Sequence, residues 1–232
     1  MTADDLPKAF ADVPPAWASV LPGWTPALRE AVVRCVKTVS GERAIGPSDP
    51  FRGLRLVAPE AVKIVVFGQD PYPSAGHADG LAFSAGQGKP RSLARIFEVL
   101  AQDRPGFRPP AVWKLDDWAR RGVLLLNPTL TVEIGVAGSH LKCGWQALTA
   151  QIVAHLCRRE PPAEAPVFLL WGGKATEFFE RARPPGTAPR VLKTRHPSYD
   201  IKRQFMAEGS HFAATRERVD WWAIGAAGSN VA

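Results

Sequence analysis

Three cysteines in 232 residues leave little room for the structures cysteine builds. Cys35, Cys143 and Cys157 form no C-x-x-C pair, which argues against a disulfide framework, a structural zinc site and a four-cysteine iron–sulfur cluster. Neutral, buried thiols in a reducing compartment are expected instead. The five histidines, His77, His140, His155, His196 and His211, show no ligand spacing, so no metal is expected either. No apolar run approaches the length that spans a bilayer. The amino terminus, MTADDLPKAF, lacks the apolar stretch of a signal peptide. These absences predict a cytoplasmic protein without membrane contact. A G-x-x-x-x-G-K phosphate loop is also missing, which counts against a nucleotide hydrolase with a Rossmann-like sheet.

What is present is a globular composition with a basic balance. Hydrophobic residues make up 46% and charged residues 22%, enough for a substantial core. The net charge of +7 favours a polyanionic partner, because phosphate contacts release counterions and steer encounter. Charge alone does not decide the matter, since many basic proteins never touch nucleic acid.

The length suits one α/β domain. It is placed at residues 21–224, between an N-terminal extension (1–20) and a small, polar, flexible tail (225–232). Apolar spacing at Leu28, Val32, Cys35 and Val36 predicts a helix from Pro26 to Val39. Residues Ala61 to Phe67 read as a buried strand. Ser92 is expected to cap a helix through Leu100, and Gly122 to stop another from Trp113 to Arg121. Strands at Val123–Leu126, Val167–Trp171 and Val191–Lys193 then alternate with helices at Trp145–Cys157, Lys174–Ala182 and Phe212–Trp222. Pro161–Pro166 and Pro184–Pro189 read as loops. Such alternation implies a mainly parallel four-stranded sheet with helices on both faces.

In sheets of that kind ligands bind beyond the carboxyl ends of the strands. Three polar segments fall there: Gln69-Asp70, Asn127 and Arg195-His196. Their convergence predicts one site. An aspartate just past a strand is usually only a turn or cap residue. Here, however, Gly68-Gln69-Asp70-Pro71-Tyr72 is followed by Gly80-Leu81-Ala82-Phe83-Ser84, then Leu124-Leu125-Leu126-Asn127, then His196-Pro197-Ser198. That ordered set resembles the family 1 uracil-DNA glycosylases. Weaker matches run from Trp17 to Trp222: Glu42-Arg43, Lys89-Pro90-Arg91-Ser92-Leu93, Leu130-Thr131-Val132, Ser139-His140, Gly144-Trp145 and Trp171-Gly172-Gly173.

The resemblance implies an enzyme that flips uracil out of single- or double-stranded DNA and hydrolyses its bond to deoxyribose. It implies Asp70 as the residue that positions water and His196 as the donor to the departing base. Gln69, Tyr72, Phe83 and Asn127 would form the uracil pocket. Asn127 would read the base edge, Phe83 would stack on it, and Tyr72 would exclude the thymine methyl. Ser92, Ser139 and Ser198 match residues that hold DNA phosphates, while His140, His211 and Trp145 read as structural. No cofactor and no obligate protein partner are implied, and a monomer is expected.

Two departures stand out. The family loop reads His-Pro-Ser-Pro-Leu-Ser, and its leucine wedges into the gap left by the base. Here the loop is His196-Pro197-Ser198-Tyr199-Asp200-Ile201. His196 and His211 keep the family's separation of 15 positions, so Asp200 takes the wedge position. A carboxylate cannot replace stacking. Flipping is therefore expected from Tyr199, Ile201 or Phe205, with Tyr199, Lys202 and Arg203 on the DNA, and Asp200→Leu is expected to improve excision from duplex more than from single strands. The second departure is Pro73, where the family has histidine. Two other readings remain: a binder of uracil or abasic sites without turnover, and a related glycosylase with a different base preference.

Overall fold

The apolar runs read from the sequence assemble into one sheet. A computed structural model describes residues 1–160, 165–200 and 202–225, with only the backbone described at Tyr199. Ile201, part of the expected 161–166 loop and the expected tail beyond Gly225 lie outside the described residues. Four strands, β2 (Ile64–Phe67), β3 (Val123–Leu126), β5 (Val167–Trp171) and β6 (Val191–Thr194), pair in the order β3-β2-β5-β6. All three pairings are parallel, with Phe67 level with both Leu126 and Leu170, and Trp171 level with Thr194. A short antiparallel pair, β1 (Ile45–Gly46) with β4 (Val132–Glu133), stands apart.

Period-two alternation explains why β2, β3 and β5 are apolar at every position. Val65, Phe67, Leu124, Leu126, Phe168 and Leu170 face one layer, built by α3 (Pro26–Ser40), α7 (Trp145–Cys157) and α8 (Gly173–Ala182). Ile64, Val66, Val123, Leu125, Leu169 and Trp171 face the other, built by α5 (Arg91–Asp103), α6 (Asp116–Arg120) and α9 (His211–Ala214). Burial on both faces thus requires a hydrophobic side chain at each strand residue. The N-terminal segment joins the first layer through Leu6 and Phe10 of α1 (Leu6–Ala11) and Trp17 of α2 (Pro15–Ala18). The Trp17 indole donates to the Val57 carbonyl at 2.8 Å. A short helix, α4 (Arg52–Leu56), completes the set.

Several local expectations are corrected. Pro90, not Ser92, is the N-cap of α5, and Ser92 sits in its first turn, 2% exposed. The first sheet strand starts at Ile64 because Pro59–Ala61 form a 3-10 turn. The helix expected from Trp113 shrinks to Asp116–Arg120, since Trp113 gives its carbonyl to the Ala85 amide. The last helix stops at Ala214, where Thr215 leaves helical geometry; its hydroxyl donates to the His211 carbonyl and accepts from the Trp221 indole. Cys35 of α3 and Cys143, just before α7, are joined as a disulfide, with Cα atoms 5.2 Å apart. Their separation of 108 residues hid that proximity. Cys157 is a buried free thiol, and burial pushes its pKa up to about 12. No helix among the described residues is long and apolar enough to cross a membrane.

Candidate active site

Residues of all three polar segments meet, although Arg195 lines a different pocket from His196. At the carboxyl ends of the strands lies a cavity of about 190 Å³, whose walls include Gln69, Asp70, Tyr72, Phe83, Asn127 and His196. Its volume is below the ~300–1,000 Å³ of pockets for drug-sized ligands, and suits a single-ring guest. Among the expected DNA contacts, Ser92 and Ser198 also reach this cavity, as does Pro73.

Gly68 ends the β2 ladder by donating to the Leu126 carbonyl at 3.1 Å. Asn127 leaves β3 beside it and lays its side chain over the glycine. A Cβ on Gly68 would stand 2.1 Å from Asn127 Oδ1, so only glycine lets the amide lie there. Two residues on, Asp70 is half-buried and accepts from the Gly138 amide at 2.8 Å. Burial pushes the Asp70 carboxyl above its usual range, against the opposing pull of the Gly138 amide, the Lys174 ammonium and Gln69.

Tyr72 is fixed at its far end. Its hydroxyl lies 3.0 Å from the Phe83 carbonyl and 2.7 Å from Ser92 Oγ. With the tyrosine proton on Phe83, Ser92 supplies the other hydrogen bond. Burial raises the phenol's pKa, which keeps it neutral. Phe83 itself has φ of 65°, a left-handed backbone that a bulky residue adopts only when its surroundings enforce it. Those surroundings include Asp79, which accepts from Ser84 Oγ at 2.7 Å and from the Leu81 amide at 3.2 Å, and pairs with Arg52. The Phe83 ring stands 5.2 Å from Trp171 and 5.7 Å from His196, centroid to centroid.

His196 follows β6 and opens the 3-10 turn Pro197–Tyr199. Its Nδ1 accepts from the Ser198 amide at 3.1 Å, which puts the proton of the neutral ring on Nε2. Burial lowers its pKa to about 4, helped by the positive charge of Lys174. Gly172 lets β5 pass close by, because a Cβ there would stand 2.9 Å from that of His196, at φ of +107°.

The remaining expected residues separate. Ser92 faces inward to Tyr72, and Ser139 Oγ is occupied in accepting from the Glu133 amide at 2.7 Å. Ser198, Lys202 and Arg203 are exposed, Arg203 pairing with Glu98 at 3.1 Å. The side chain of Tyr199, like Ile201, lies outside the described residues. Two expectations for the loop fail. Phe205 is 1% exposed and packs its ring on Trp171, so it is core and cannot enter DNA. Asp200 does not face outward: its side chain is 4% exposed and accepts from Arg95 Nε at 2.6 Å and from the Phe205 amide at 2.8 Å. Burial pushes the Asp200 pKa up, but these donors bring it below the usual carboxylate value. His140 and His211 are buried, with the Trp171 indole donating to His211 Nδ1 at 3.2 Å.

Sequence reasoning missed Gly138, Lys174 and Arg95. Gly138 immediately precedes Ser139-His140 and Lys174 immediately follows Trp171-Gly172-Gly173, so both stood beside recognised motifs. Arg95 gave no signal, being one of many arginines.

Comparison with known proteins shows the family and the fold. The model of the uracil DNA glycosylase superfamily matches residues 55–220. A uracil-DNA glycosylase of bovine herpesvirus 1.1 (strain Cooper) is 39% identical over 207 residues, covering 84% of this chain and 98% of that protein. One of Salmonella agona (strain SL483) is 38% identical over 193 residues, covering 80% and 82%. One of varicella-zoster virus (strain Dumas) is 38% identical over 195 residues, and there the match spans 62% of the relative's length. The crystal structure of mimivirus uracil-DNA glycosylase superposes with a TM-score of 0.70 at 22% identity, covering 84% of this chain and 75% of that one, a likeness of fold.

Proposed function

This chain belongs to the uracil DNA glycosylase superfamily, and on that premise we propose that its cavity holds one extruded uracil between a carboxylate and a neutral imidazole. The activity is removal of uracil from DNA, a glycosidase reaction of base excision repair. The observation that carries the site assignment is the convergence of Asp70, Asn127 and His196 on one small cavity.

Breaking the C1′–N1 bond leaves positive charge on the deoxyribose and negative charge on the base, and both need partners. Ionised Asp70 faces the sugar and orients a water. The water oxygen bonds to C1′, its proton passes to the carboxylate, and the C1′–N1 electron pair departs with uracil. His196 donates from Nε2 to the uracil oxygen that becomes anionic. A pKa of about 4 keeps the imidazole neutral throughout the physiological range.

Selection takes place before chemistry. A stacked base cannot be reached, so the nucleotide must leave the helix. The Asn127 amide accepts from N3–H and donates to O4 of uracil. Cytosine offers the reverse pattern and would strand buried polar groups. Phe83 stacks on the base, Tyr72 closes against its C5 edge, and Gln69 completes the wall. Ser198, Lys202 and Arg203 hold phosphates at the rim, assisted by the Ser139 hydroxyl proton and by Tyr199. Ser92 acts indirectly, by anchoring Tyr72. We place the enzyme in the cytoplasm as a monomer that works without a cofactor.

The test is a labelled uracil oligonucleotide, single- and double-stranded, followed by alkaline cleavage of abasic sites. Strand scission without added metal is expected, and Asp70→Asn and Asn127→Ala should each remove most of it. A mobility shift without scission would instead mark a binder that does not turn over. Release of another base in preference to uracil would mark a different specificity.

A further inference from the structure

Behind Asp70 runs a buried chain of polar side chains that the reaction does not consume. The Trp145 indole donates to Thr131 Oγ1 at 2.7 Å, and Thr131 Oγ1 lies 2.9 Å from His140 Nδ1. On the other side, His140 Nε2 lies 2.9 Å from Ser40 Oγ, which donates to Glu133 Oε2 at 3.0 Å. Arg43 pairs with the other Glu133 oxygen at 2.9 Å. Thr131, His140 and Ser40 are fully buried, and Glu133 is 3% exposed.

The donors and acceptors admit one direction. Ser40 has a single proton, spent on the Glu133 carboxylate, so it accepts from His140 Nε2–H. Burial lowers the His140 pKa, and in the neutral ring Nδ1 then accepts from the Thr131 hydroxyl, which in turn accepts from the indole. Every link is satisfied once, with a neutral imidazole in the middle and an ion pair at the end. Such a network holds its backbone in one arrangement only when complete.

The backbone it holds is the segment 131–140. Within it the Glu133 amide donates to Ser139 Oγ, the Val136 amide to the Glu133 carbonyl at 3.1 Å, and the Ser139 amide to the Val136 carbonyl at 3.3 Å. The Gly135 amide reaches across to the Pro73 carbonyl at 2.9 Å. The Gly138 amide, at the crest of this loop, is the one that meets Asp70. We propose that Thr131, His140 and Glu133 are positioning residues for the reaction: with Ser40 they lock the 131–140 loop so that the Gly138 amide stays on the Asp70 carboxylate.

This inference rests on the assignment of Asp70 above and adds the device that sets its working state. The groups that bear on Asp70 are the Gly138 amide, Lys174 at the start of α8, Gln69 beside it and neutral His196 across the cavity. Releasing the Gly138 amide removes a donor that favours the carboxylate, so Asp70 would ionise only at higher pH. The acid limb of turnover should move the same way.

The experiment measures kcat and KM for uracil release from a single-stranded oligonucleotide across pH. His140→Ala should lower kcat about tenfold, leave KM within about twofold, and move the acid limb up by about one pH unit, as loss of one charge-assisted hydrogen bond does. Thr131→Val removes the hydroxyl with little change of shape and serves if His140→Ala does not fold; its effect should match. Thr131→Ser restores the hydroxyl and should restore both kcat and the limb. A folded Thr131→Val whose acid limb stays in place overturns the inference, whatever its rate. Asp70→Asn separates the two levels. If it stays active, the assignment of Asp70 fails. If it is inactive while Thr131→Val behaves as the parent enzyme, only the positioning role fails.

Discussion

The Asp200 carboxylate lies against Arg95 Nε at 2.6 Å and is buried, its side chain 4% exposed. At the position that the sequence resemblance assigns to a wedge, this chain has a staple. One oxygen takes Arg95 from α5, and the other takes the Phe205 amide, closing the loop on itself. The same helix carries Ser92, which anchors Tyr72, so α5 braces both the pocket and the loop.

This geometry reverses the expectation that Asp200→Leu improves duplex excision. Leucine would leave Arg95 Nε and the Phe205 amide without their acceptor, although Arg95 keeps Glu98 at 3.1 Å through Nη1. We expect a loss of about 2 kcal/mol, or roughly 4–8 °C in Tm, with lower excision from duplex and single strands alike. Thermal melting and the two excision rates check it. A faster rate on duplex would show that the site tolerates a wedge.

Gly68 and Asn127 give the most specific prediction. An alanine at 68 would bring its Cβ to 2.1 Å from Asn127 Oδ1 and must displace that side chain. Losing the two hydrogen bonds proposed between this amide and the base should cost about 2–3 kcal/mol in kcat/KM, roughly 30- to 150-fold. The displaced amide should also weaken discrimination against cytosine. Uracil and cytosine oligonucleotides assayed side by side will show both effects.

In the proposed pocket Tyr72 would block the C5 edge, while its hydroxyl ties down Phe83 and Ser92. Tyr72→Ala should therefore open the pocket to thymine while slowing uracil release by about tenfold, since Phe83 loses its anchor. Thymine-containing oligonucleotides give the readout. If no thymine is released, another group excludes the methyl.

Stability should fall with acid. His196 and His211 are both held neutral by burial, with pKa values lowered to about 4 from 6.5. The unfolded chain binds their protons first, so between about pH 6.5 and pH 4 it gains protons that the folded protein refuses. Their contribution is fully present above pH 6.5 and is lost as pH falls through that window, on the order of 3 kcal/mol for each group. Denaturant titrations at pH 7 and pH 4.5 measure the loss. His211→Gln should reduce the difference, whatever it does to stability at neutral pH.

The sequence by itself determined the sheet and which polar residues stand at its strand ends, and the family resemblance supplied the rest of the expected pocket. Continuous apolar runs at Ile64–Phe67, Val123–Leu126 and Val167–Trp171, alternating with helical segments, read as strands buried on two faces, which puts the residues after each run at a strand's carboxyl end. Asp70, Asn127 and His196 were legible because chain position and strand direction together fix where they emerge. Only the tertiary structure decided which way side chains outside the strands turn. The inward turn of Asp200 is not legible, because its neighbours in sequence give no sign of Arg95, more than a hundred residues earlier. Cys35 met Cys143 for the same reason, and Phe205 became core because Trp171 lay beneath it. Periodicity records the contacts a segment makes with its own layer, whereas pairings between distant loops leave no repeating pattern along the chain.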